Sequence, residues 1–273
     1  MKPEVSPGKA FIRPDMRPLA GINIFGLDEA LAVIKAAENL NSPVLLSLNE
    51  DFVRFCGKEF IAGFLREKAR GAPVSIHFDH CRDIGFFETT VNWGFDSMMF
   101  DGTAHGFRKN LELTRRAVEI AHSRGIKAEG EIGCVPYAEG NTTLKLELSD
   151  PLQSAEFAAE TGVDLLAVSI GNIQRMPSGY AELDLARLEA IRDQVSVPLC
   201  LHGASGVKPQ DLSAAVRLGV RKFNFSSTFR NAWSKGVTEF GNQQGNLRDR
   251  MGLYGHVFPS LVSSAEKIIQ SIS

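Results

Sequence analysis

Apolar stretches of strand length recur eight times along the chain, and amphipathic segments separate them. The apolar stretches are residues 19–25, 43–49, 73–79, 95–101, 127–133, 164–171, 197–203 and 220–226. Several are almost continuously apolar, which is typical of parallel strands that are covered on both faces. The pattern therefore predicts buried parallel strands rather than the alternating strands of a sheet with one wet face.

Helical periodicity fills the intervals between these strands. Residues 27–40 place apolar side chains at i, i+3, i+4 and i+7, while residues 107–125 and 208–219 end in glycine, a common helix stop. Residues 150–162 begin with Asp and then Pro, an N-cap followed by proline at the first helical position. A further helix is predicted near the end of the chain, within residues 255–273. The alternation of strand and helix favours parallel βαβ units.

The number of units predicts the fold class. Eight βαβ-type units in a chain of 273 residues fit a (β/α)8 TIM barrel, for which about 250 residues is typical. We predict an α/β protein with a single barrel domain over residues 18–273, a proline-rich N-terminal arm over residues 1–17 and a C-terminal helix. An open, doubly wound sheet is the alternative, but no G-x-G-x-x-G motif follows the first strand.

Charge and composition exclude several classes of partner. The formal net charge is −2, and no basic cluster indicates a nucleic acid or a membrane surface as partner. No apolar run approaches the roughly 18 residues of a membrane span, and the first residues lack the apolar region of a secretory signal. The sequence therefore predicts a cytoplasmic protein that acts on a small molecule.

Polar residues cluster where the predicted strands end, which is where the active site of a barrel lies. Seven of the eight strands contribute. The candidates are Asn23, His77, Asp79, His80, Asp101, Thr103, His105, Glu129, Glu131, Asn172, Gln174, His202, Ser205, Asn224, Ser226 and Ser227. Because buried polar groups without partners are costly, so many at one rim indicate a functional site.

Three of these residues have the chemistry of a metal site. His80, Glu131 and His202 end strands 3, 5 and 7, and alternate strands of a barrel share a layer. Two imidazoles and a carboxylate suit Zn²⁺ first, and three protein ligands leave an open position, as in catalytic sites. The alternative for each histidine is a hydrogen-bonded rim residue. His77 is an odd number of residues from His80, so we expect it to point to the opposite face and to be structural.

Two carboxylates are candidates for proton transfer. Asp79 immediately precedes a proposed ligand and can exchange protons with a bound substrate. Glu139 lies on the loop after strand 5, where a mobile loop can bring an acid or base to the substrate. The alternatives are that Asp79 holds a loop amide and that Glu139 is a solvated loop charge.

Two glycine- and serine-containing segments predict an anion site. HGASG (202–206) follows strand 7 and NFSS (224–227) ends strand 8, the usual phosphate-binding place in such barrels. Backbone N–H groups and serine hydroxyls there can hold a phosphate, so Gly203, Ser205, Ser226 and Ser227 are the candidates. Arg175 is expected to add a charge-assisted contact to the anion.

Seven segments carry a resemblance to a known family. They are AAENLNSPVLL, HFDHC, GFDSMMFDGT, EGEIG, TGVDLLAVSIG, LHGASGV and KFNFSSTFRNAW. From about residue 20 to about residue 235 the chain resembles the class II, metal-dependent ketose-bisphosphate aldolases, which cleave fructose- or tagatose-1,6-bisphosphate to dihydroxyacetone phosphate and glyceraldehyde 3-phosphate. The resemblance implies a TIM barrel, a divalent metal that is usually Zn²⁺, a sugar-phosphate substrate and a homodimer or homotetramer.

The resemblance also assigns roles to individual residues. Asp79 matches the residue that serves the aldehyde oxygen, and Glu139 falls at the place of the loop acid/base. His80 and His202 match zinc ligands, and Glu131 matches a glutamate beside the metal. The substrate and phosphate candidates are Asn23, Gln174, Arg175, Gly203, Ser205, Asn224, Ser226 and Ser227.

The sequence departs from the family after strand 6. Gln174 stands where the family has a zinc-binding histidine, and Arg175 stands where it has a glycine. We therefore expect Glu131 to be the third metal ligand, and the site to accept Mn²⁺ or Co²⁺ as well as Zn²⁺. The alternatives are another metal-dependent lyase or isomerase acting on an acidic sugar, and a non-catalytic sugar-phosphate-binding subunit. A Schiff-base aldolase is disfavoured, because Lys127 and Lys222 are placed away from the rim.

Overall fold

Eight parallel strands close into a barrel in chain order, which confirms the predicted (β/α)8 fold. The computed structural model describes residues 16–138, 146–176, 178–244 and 247–273. The strands are β1 (Leu19–Asn23), β2 (Val44–Asn49), β3 (Val74–Cys81), β4 (Ser97–Phe100), β5 (Lys127–Ile132), β6 (Leu165–Val168), β7 (Leu199–Leu201) and β8 (Val220–Phe225). Nearly all of the predicted N-terminal arm falls outside the described residues.

Helices follow the strands around the barrel. They are α1 (Leu27–Leu40), α2 (Glu50–Lys58), α3 (Arg66–Lys68), α4 (Ile84–Thr90), α5 (Phe107–His122), α6 (Pro151–Thr161), α7 (Leu185–Gln194), α8 (Pro209–Arg217), α9 (Ser227–Gln244) and α10 (Arg250–Gln270), with a π-helical segment, Glu59–Leu65, between α2 and α3. Asp150 caps α6 as predicted, because its carboxylate accepts hydrogen bonds from the N–H groups of Leu152 and Gln153. The C-terminal helix α10 begins earlier than predicted and packs on α1 and α9. No helix among the described residues has both the length and the apolar character to cross a membrane.

The apolar core lies mainly between the barrel and its helices. A much smaller apolar cluster contains Leu19, Leu45, Leu165, Ala167 and Cys200. These residues lie toward the N-terminal part of the barrel, and buried polar side chains follow them along the strands toward the C-terminal end. The interior is thus divided into an apolar floor and a polar upper part, and the polar part positions the site.

An irregularity near the end of β3 decides which way His80 faces. The register between β3 and β4 shifts between Phe78 and Cys81, and His80 has φ 52°, in the left-handed region. In a regular strand Asp79 and His80 would face opposite sides, but this bulge brings both to the barrel mouth. The expectation that His77 points to the opposite face is therefore wrong. His77 lies inside the barrel with Asp79, although hydrogen bonds hold it as a structural residue.

Candidate active site

A polar cavity of about 480 Å³ opens at the C-terminal ends of the strands. Its lining includes ten of the predicted site residues: Asn23, Asp79, His80, Gln174, Arg175, Gly203, Ser205, Asn224, Ser226 and Ser227. Glu131 and His202 are almost completely buried beside it. Glu139 lies outside the described residues. The predicted residues are thus brought together, whereas His105, also a rim candidate, is exposed on a loop.

The two candidate metal-binding histidines each use one ring nitrogen to hold their orientation. Nδ1 of His80 lies 2.9 Å from Oδ2 of Asp101, and Nε2 of His202 lies 3.0 Å from Oε1 of Glu129. When the rings are neutral, each of these nitrogens can donate to its carboxylate partner, so that the other nitrogen carries a lone pair. The ring centroids are 4.5 Å apart. Carboxylate partners of this kind commonly fix the tautomer of metal-binding histidines.

The remaining nitrogens and Glu131 are buried without hydrogen-bond partners. Nε2 of His80, Nδ1 of His202 and Oε2 of Glu131 have no partner within the described part of the chain. Nδ1 of His202 and Oε2 of Glu131 are only 2.8 Å apart. With Nε2 of His202 donating to Glu129, two acceptors face each other, and such an arrangement calls for a positive charge.

These donor atoms fit a divalent cation. Asp79, His80 and His202 each offer a ligand atom within 4.8 Å of the others, and Glu131 adds an oxygen beside His202. Burial lowers the pKa of His202, whereas its contacts with Cys200, Glu129 and Glu131 raise it, and the net pKa is well above the ordinary value for histidine. The surroundings of this ring therefore stabilise positive charge, as a metal site must.

A second group of potential ligands does not suit a cation. Glu129, Cys200 and His202 also lie within 4.8 Å of one another. The Lys222 ammonium already lies 2.5 Å from Oε2 of Glu129, so this carboxylate has a cationic partner. Burial raises the pKa of the Cys200 thiol to about 11, so it is protonated at neutral pH. This group is part of the support beneath the site.

A closed hydrogen-bonded network lies beneath the cavity, and we call His77, Glu129 and Lys222 the interior network. Nζ of Lys222 donates to Nε2 of His77 at 2.9 Å and to Glu129, while Nδ1 of His77 lies 2.8 Å from Oγ of Ser97. Burial and the nearby Lys222 charge lower the pKa of His77, so its ring is neutral. The network satisfies its charges internally and connects to the site through the Glu129–His202 hydrogen bond.

Asp79 is held at the cavity by two asparagines. The side-chain amides of Asn23 and Asn224 donate to its two carboxylate oxygens at 2.8 and 2.9 Å. Burial by itself raises the pKa of Asp79, but the neighbouring His80, His77 and Lys222 lower it well below the ordinary value. Asp79 is therefore ionised, and Oδ1 of Asn224 remains a buried acceptor without a partner among the described residues.

The segments HGASG (202–206) and NFSS (224–227), which we call the Gly–Ser segments, form another part of the cavity lining. Gly203 has φ 70°, and a Cβ there would lie 2.5 Å from the carbonyl oxygen of Ile173, so a side chain is excluded. The backbone N–H of Thr228 donates to Oγ of Ser205 at 3.2 Å, which joins the loop after β7 to the start of α9. Ser205 and the first residues of α9 can thus present N–H and O–H donors to an anion.

Gln174 and Arg175 lie on the loop after β6 and contact the loop after β5. The N–H of Gln174 donates to the carbonyl of Pro136, and its carbonyl accepts from the N–H of Ala138, both at 2.8 Å. The side-chain Nε2 of Gln174 is buried without a partner in the described structure. Arg175 has φ 52°, a conformation that favours glycine, in agreement with the family pattern at this position.

Sequence reasoning missed Arg82, which lines the cavity together with Tyr137. Asp101 was a rim candidate, but its role in orienting His80 was not foreseen. Lys222 was correctly placed away from the rim, but its role in holding Glu129 was not foreseen. The sequence does indicate that Lys222 points into the barrel, because Lys222 and Asn224 are two residues apart on one strand and so share the inward face.

Comparison with known proteins agrees with this geometry. The family model described as fructose-bisphosphate aldolase class-II matches residues 17–272. A fructose-bisphosphate aldolase of Geobacillus stearothermophilus is 31% identical over 85% of this chain and 83% of its own length. A sulfofructosephosphate aldolase of Alkalicoccus urumqiensis is 30% identical over 97% and 93% of the two chains.

A solved structure supports the same assignment. The crystal structure of the YdjI aldolase from Escherichia coli K12 superposes with a TM-score of 0.81 at 32% identity, covering 94% of this chain and 92% of that one. Fold, site geometry and sequence similarity thus agree over nearly the whole chain. The chain belongs to the class II fructose-bisphosphate aldolase family and is a metal-dependent aldolase, a carbon–carbon lyase of ketose phosphates.

Proposed function

We propose that the protein cleaves, and in reverse forms, a carbon–carbon bond of an anionic ketose phosphate, giving dihydroxyacetone phosphate and an aldehyde. The observation that supports this most directly is the set of buried, unpartnered atoms at the barrel mouth: Nε2 of His80, Nδ1 of His202 and Oε2 of Glu131. His80 lines the polar cavity with Asp79, and His202 and Glu131 are buried beside it. The relatives named as aldolases of fructose bisphosphate and sulfofructose phosphate indicate the substrate class.

His80, His202 and Glu131 would hold the metal, with Zn²⁺ the first candidate and Mn²⁺ or Co²⁺ as alternatives. When bound, the ion supplies Lewis-acid stabilisation of negative charge on the substrate's oxygens. Asp101 and Glu129 fix the two imidazoles so that each presents one lone pair to the same place. Gln174 faces the cavity without offering the imidazole that the family has at this position.

Asp79 would transfer the proton of the hydroxyl that becomes the aldehyde oxygen. Its low pKa keeps it ionised, so it accepts this proton in the cleavage direction and returns it in the reverse direction. Asn23 and Asn224 hold both carboxylate oxygens in place. Glu139 is proposed to move the carbon-bound proton.

The phosphate of the dihydroxyacetone half would bind at the Gly–Ser segments. Gly203, Ser205, Ser226 and Ser227 line the cavity beside the start of α9, where N–H groups and hydroxyls converge. The homodimeric or homotetrameric assembly and the cytoplasmic location that the sequence predicts remain predictions.

Metal content and activity together test this function. Purified protein should contain about one divalent ion per chain, and exhaustive chelation should abolish the release of dihydroxyacetone phosphate from ketose phosphates until metal is restored. Glu131→Ala should lose most of its bound zinc, whereas Glu119→Ala, a matched change on the exposed face of α5, should retain it. Full activity of metal-free protein would contradict the proposal, and so would unchanged zinc affinity in Glu131→Ala.

A further inference from the structure

Two arginines line the active-site cavity on loops other than those of the Gly–Ser segments. Arg82 directly follows β3, and Arg175 lies on the loop after β6. The Gly–Ser segments follow β7 and β8. The order of strands around the barrel therefore separates Arg82 from the proposed phosphate site. Whether Arg175 lies nearer to Arg82 or to the Gly–Ser segments depends on the direction of its side chain.

The side chain of Arg175 is directed toward the β5 loop. Its guanidinium carbon lies 4.7 Å from the centroid of the Tyr137 ring, a cation–π contact. Nη2 of Arg82 donates to the Tyr137 hydroxyl at 3.3 Å. Both guanidinium groups therefore meet at one phenol ring. The backbone hydrogen bonds between residues 136–138 and Gln174 join the two loops that carry this ring and Arg175.

The charges of this cluster are only partly balanced. Nε of Arg82 donates to Asp101 at 3.2 Å, but this carboxylate also accepts hydrogen bonds from His80 and Thr103. Within the described ranges, no carboxylate forms an ion pair with Arg175. Both arginines line the cavity, and the fork geometry of a guanidinium group suits an anionic oxygen pair.

The backbone supports a functional role for Arg175. A non-glycine residue at φ 52° is in a sparsely populated conformation, which persists where the surrounding structure imposes it and which is common at ligand-binding sites. A glycine would adopt this backbone without strain, so the side chain is retained at a conformational cost.

We propose that Arg82, Tyr137 and Arg175 form a second anion site, which binds an anionic group on the aldehyde half of the substrate. The inference rests on the proposed function and narrows its substrate class to ketose phosphates that carry a second anion at the far end, as a phosphate, sulfonate or carboxylate. Arg82 and Arg175 supply charge-assisted hydrogen bonds, and Tyr137 positions both guanidinium groups.

Aldol addition separates the contribution of this second anion from the rest of the reaction. Metal-loaded enzyme is given dihydroxyacetone phosphate and one of three aldehydes with related skeletons: neutral glyceraldehyde, glyceraldehyde 3-phosphate or tartronate semialdehyde, which carries a carboxylate. The measured quantity is the ratio of kcat/KM for each anionic aldehyde to that for glyceraldehyde. The preferred anionic aldehyde identifies the anion as phosphate-like or carboxylate-like.

Arg82→Gln and Arg175→Gly should each lower this ratio by about tenfold to a hundredfold, the scale of one hydrogen bond to a charged group. Tyr137→Phe should lower it less, because only the hydroxyl contact with Arg82 is lost. Arg116→Gln, an exposed arginine on α5 that pairs with Glu88, is the matched control. Because Arg82 also contacts Asp101, a loss of equal size for neutral and anionic aldehydes would show a purely structural role and overturn the inference.

A second measurement distinguishes failure of this inference from failure of the proposed function. Exchange of the carbon-bound proton of dihydroxyacetone phosphate in D₂O, followed by NMR, requires proton transfer but no aldehyde. If exchange occurs and the ratios do not change in the variants, the anion site is wrong while the function stands. If no exchange occurs with any metal, the function fails, and calorimetric binding of glyceraldehyde 3-phosphate to the parent and to Arg82→Gln decides the anion site. Equal affinities would overturn it.

Discussion

The interior network and the metal-site residues above it use similar side chains in opposite ways. In the interior network, Lys222 is hydrogen-bonded to both His77 and Glu129, and its charge is balanced by the carboxylate. One layer higher, His80, Glu131 and His202 each keep a buried atom without a partner. Folding satisfies the first set and leaves the second for a ligand, so the lower layer positions the site and the upper layer performs the chemistry.

The largest effect is expected from Asp79→Asn, which changes the cavity and leaves the interior network intact. The amide cannot accept the hydroxyl proton, so kcat for ketose phosphate cleavage should fall by about 10²- to 10⁴-fold, the usual contribution of a positioned acid or base. Thermal unfolding should change little, because Asn is isosteric and Asn23 can reorient its amide. Asp193→Asn, on the exposed side of α7, is the control. Parent-like kcat in Asp79→Asn would contradict the assigned role.

The next largest effect is expected from breaking the interior network with Lys222→Met. This change leaves the Glu129 carboxylate buried beside no ammonium group, and losing one partner of a buried pair costs about 3–5 kcal/mol of the free energy of unfolding. Chemical denaturation measures the loss, with Lys235→Met at an exposed position as the control. The double variant Lys222→Met/Glu129→Gln should recover part of the stability, since no unpaired charge remains. If Lys222→Met unfolds like the parent, the network is not the support described here.

The third prediction concerns Glu29, a buried glutamate that lacks an ammonium partner of the kind that Lys222 provides for Glu129. Burial raises the pKa of Glu29 to about 7, from about 4.5 in the unfolded chain. Between these values the folded state holds a proton that the unfolded state has lost, so stability should fall as pH rises from about 4.5 to 7, by about 3 kcal/mol. Glu29→Gln should remove this part of the pH dependence, whereas Glu38→Gln, exposed on the same helix, should not. Identical pH profiles for Glu29→Gln and the parent would refute the raised pKa.

The smallest effect is expected from a substitution at position 174, beside the metal-site residues, where the family has a zinc-binding histidine. Gln174→His should restore an imidazole at the cavity and raise zinc affinity by about tenfold or more, the scale on which single partners of a zinc site act. Competition with a chelating dye measures the affinity. Gln194→His, at the end of α7, controls for zinc binding by an added surface histidine. An unchanged or lower affinity in Gln174→His would mean that position 174 does not face the ion.

The sequence predicted the fold well, because its signals are local and repeated. Apolar runs and helical periodicity recur along the chain, and caps such as Asp150 mark individual helix starts, so errors at single ends did not change the number of strands. The candidate site followed from the same regularity, since strand ends in a barrel meet at one mouth. His80 and His202 were brought together in this way, with ring centroids 4.5 Å apart.

What the sequence alone determined is the barrel, its polar mouth and the residue types available there, because periodicity and strand order fix these. Only the tertiary structure decided which side chains are satisfied and which are free. The bulge at His80 turned this side chain to the same side as His77 and Asp79, and the pairing of Lys222 with Glu129 depends on strands far apart in the chain. Arg82, Tyr137 and Arg175 likewise meet through three separate loops. Such partnerships depend on distances between distant segments, which no local pattern encodes.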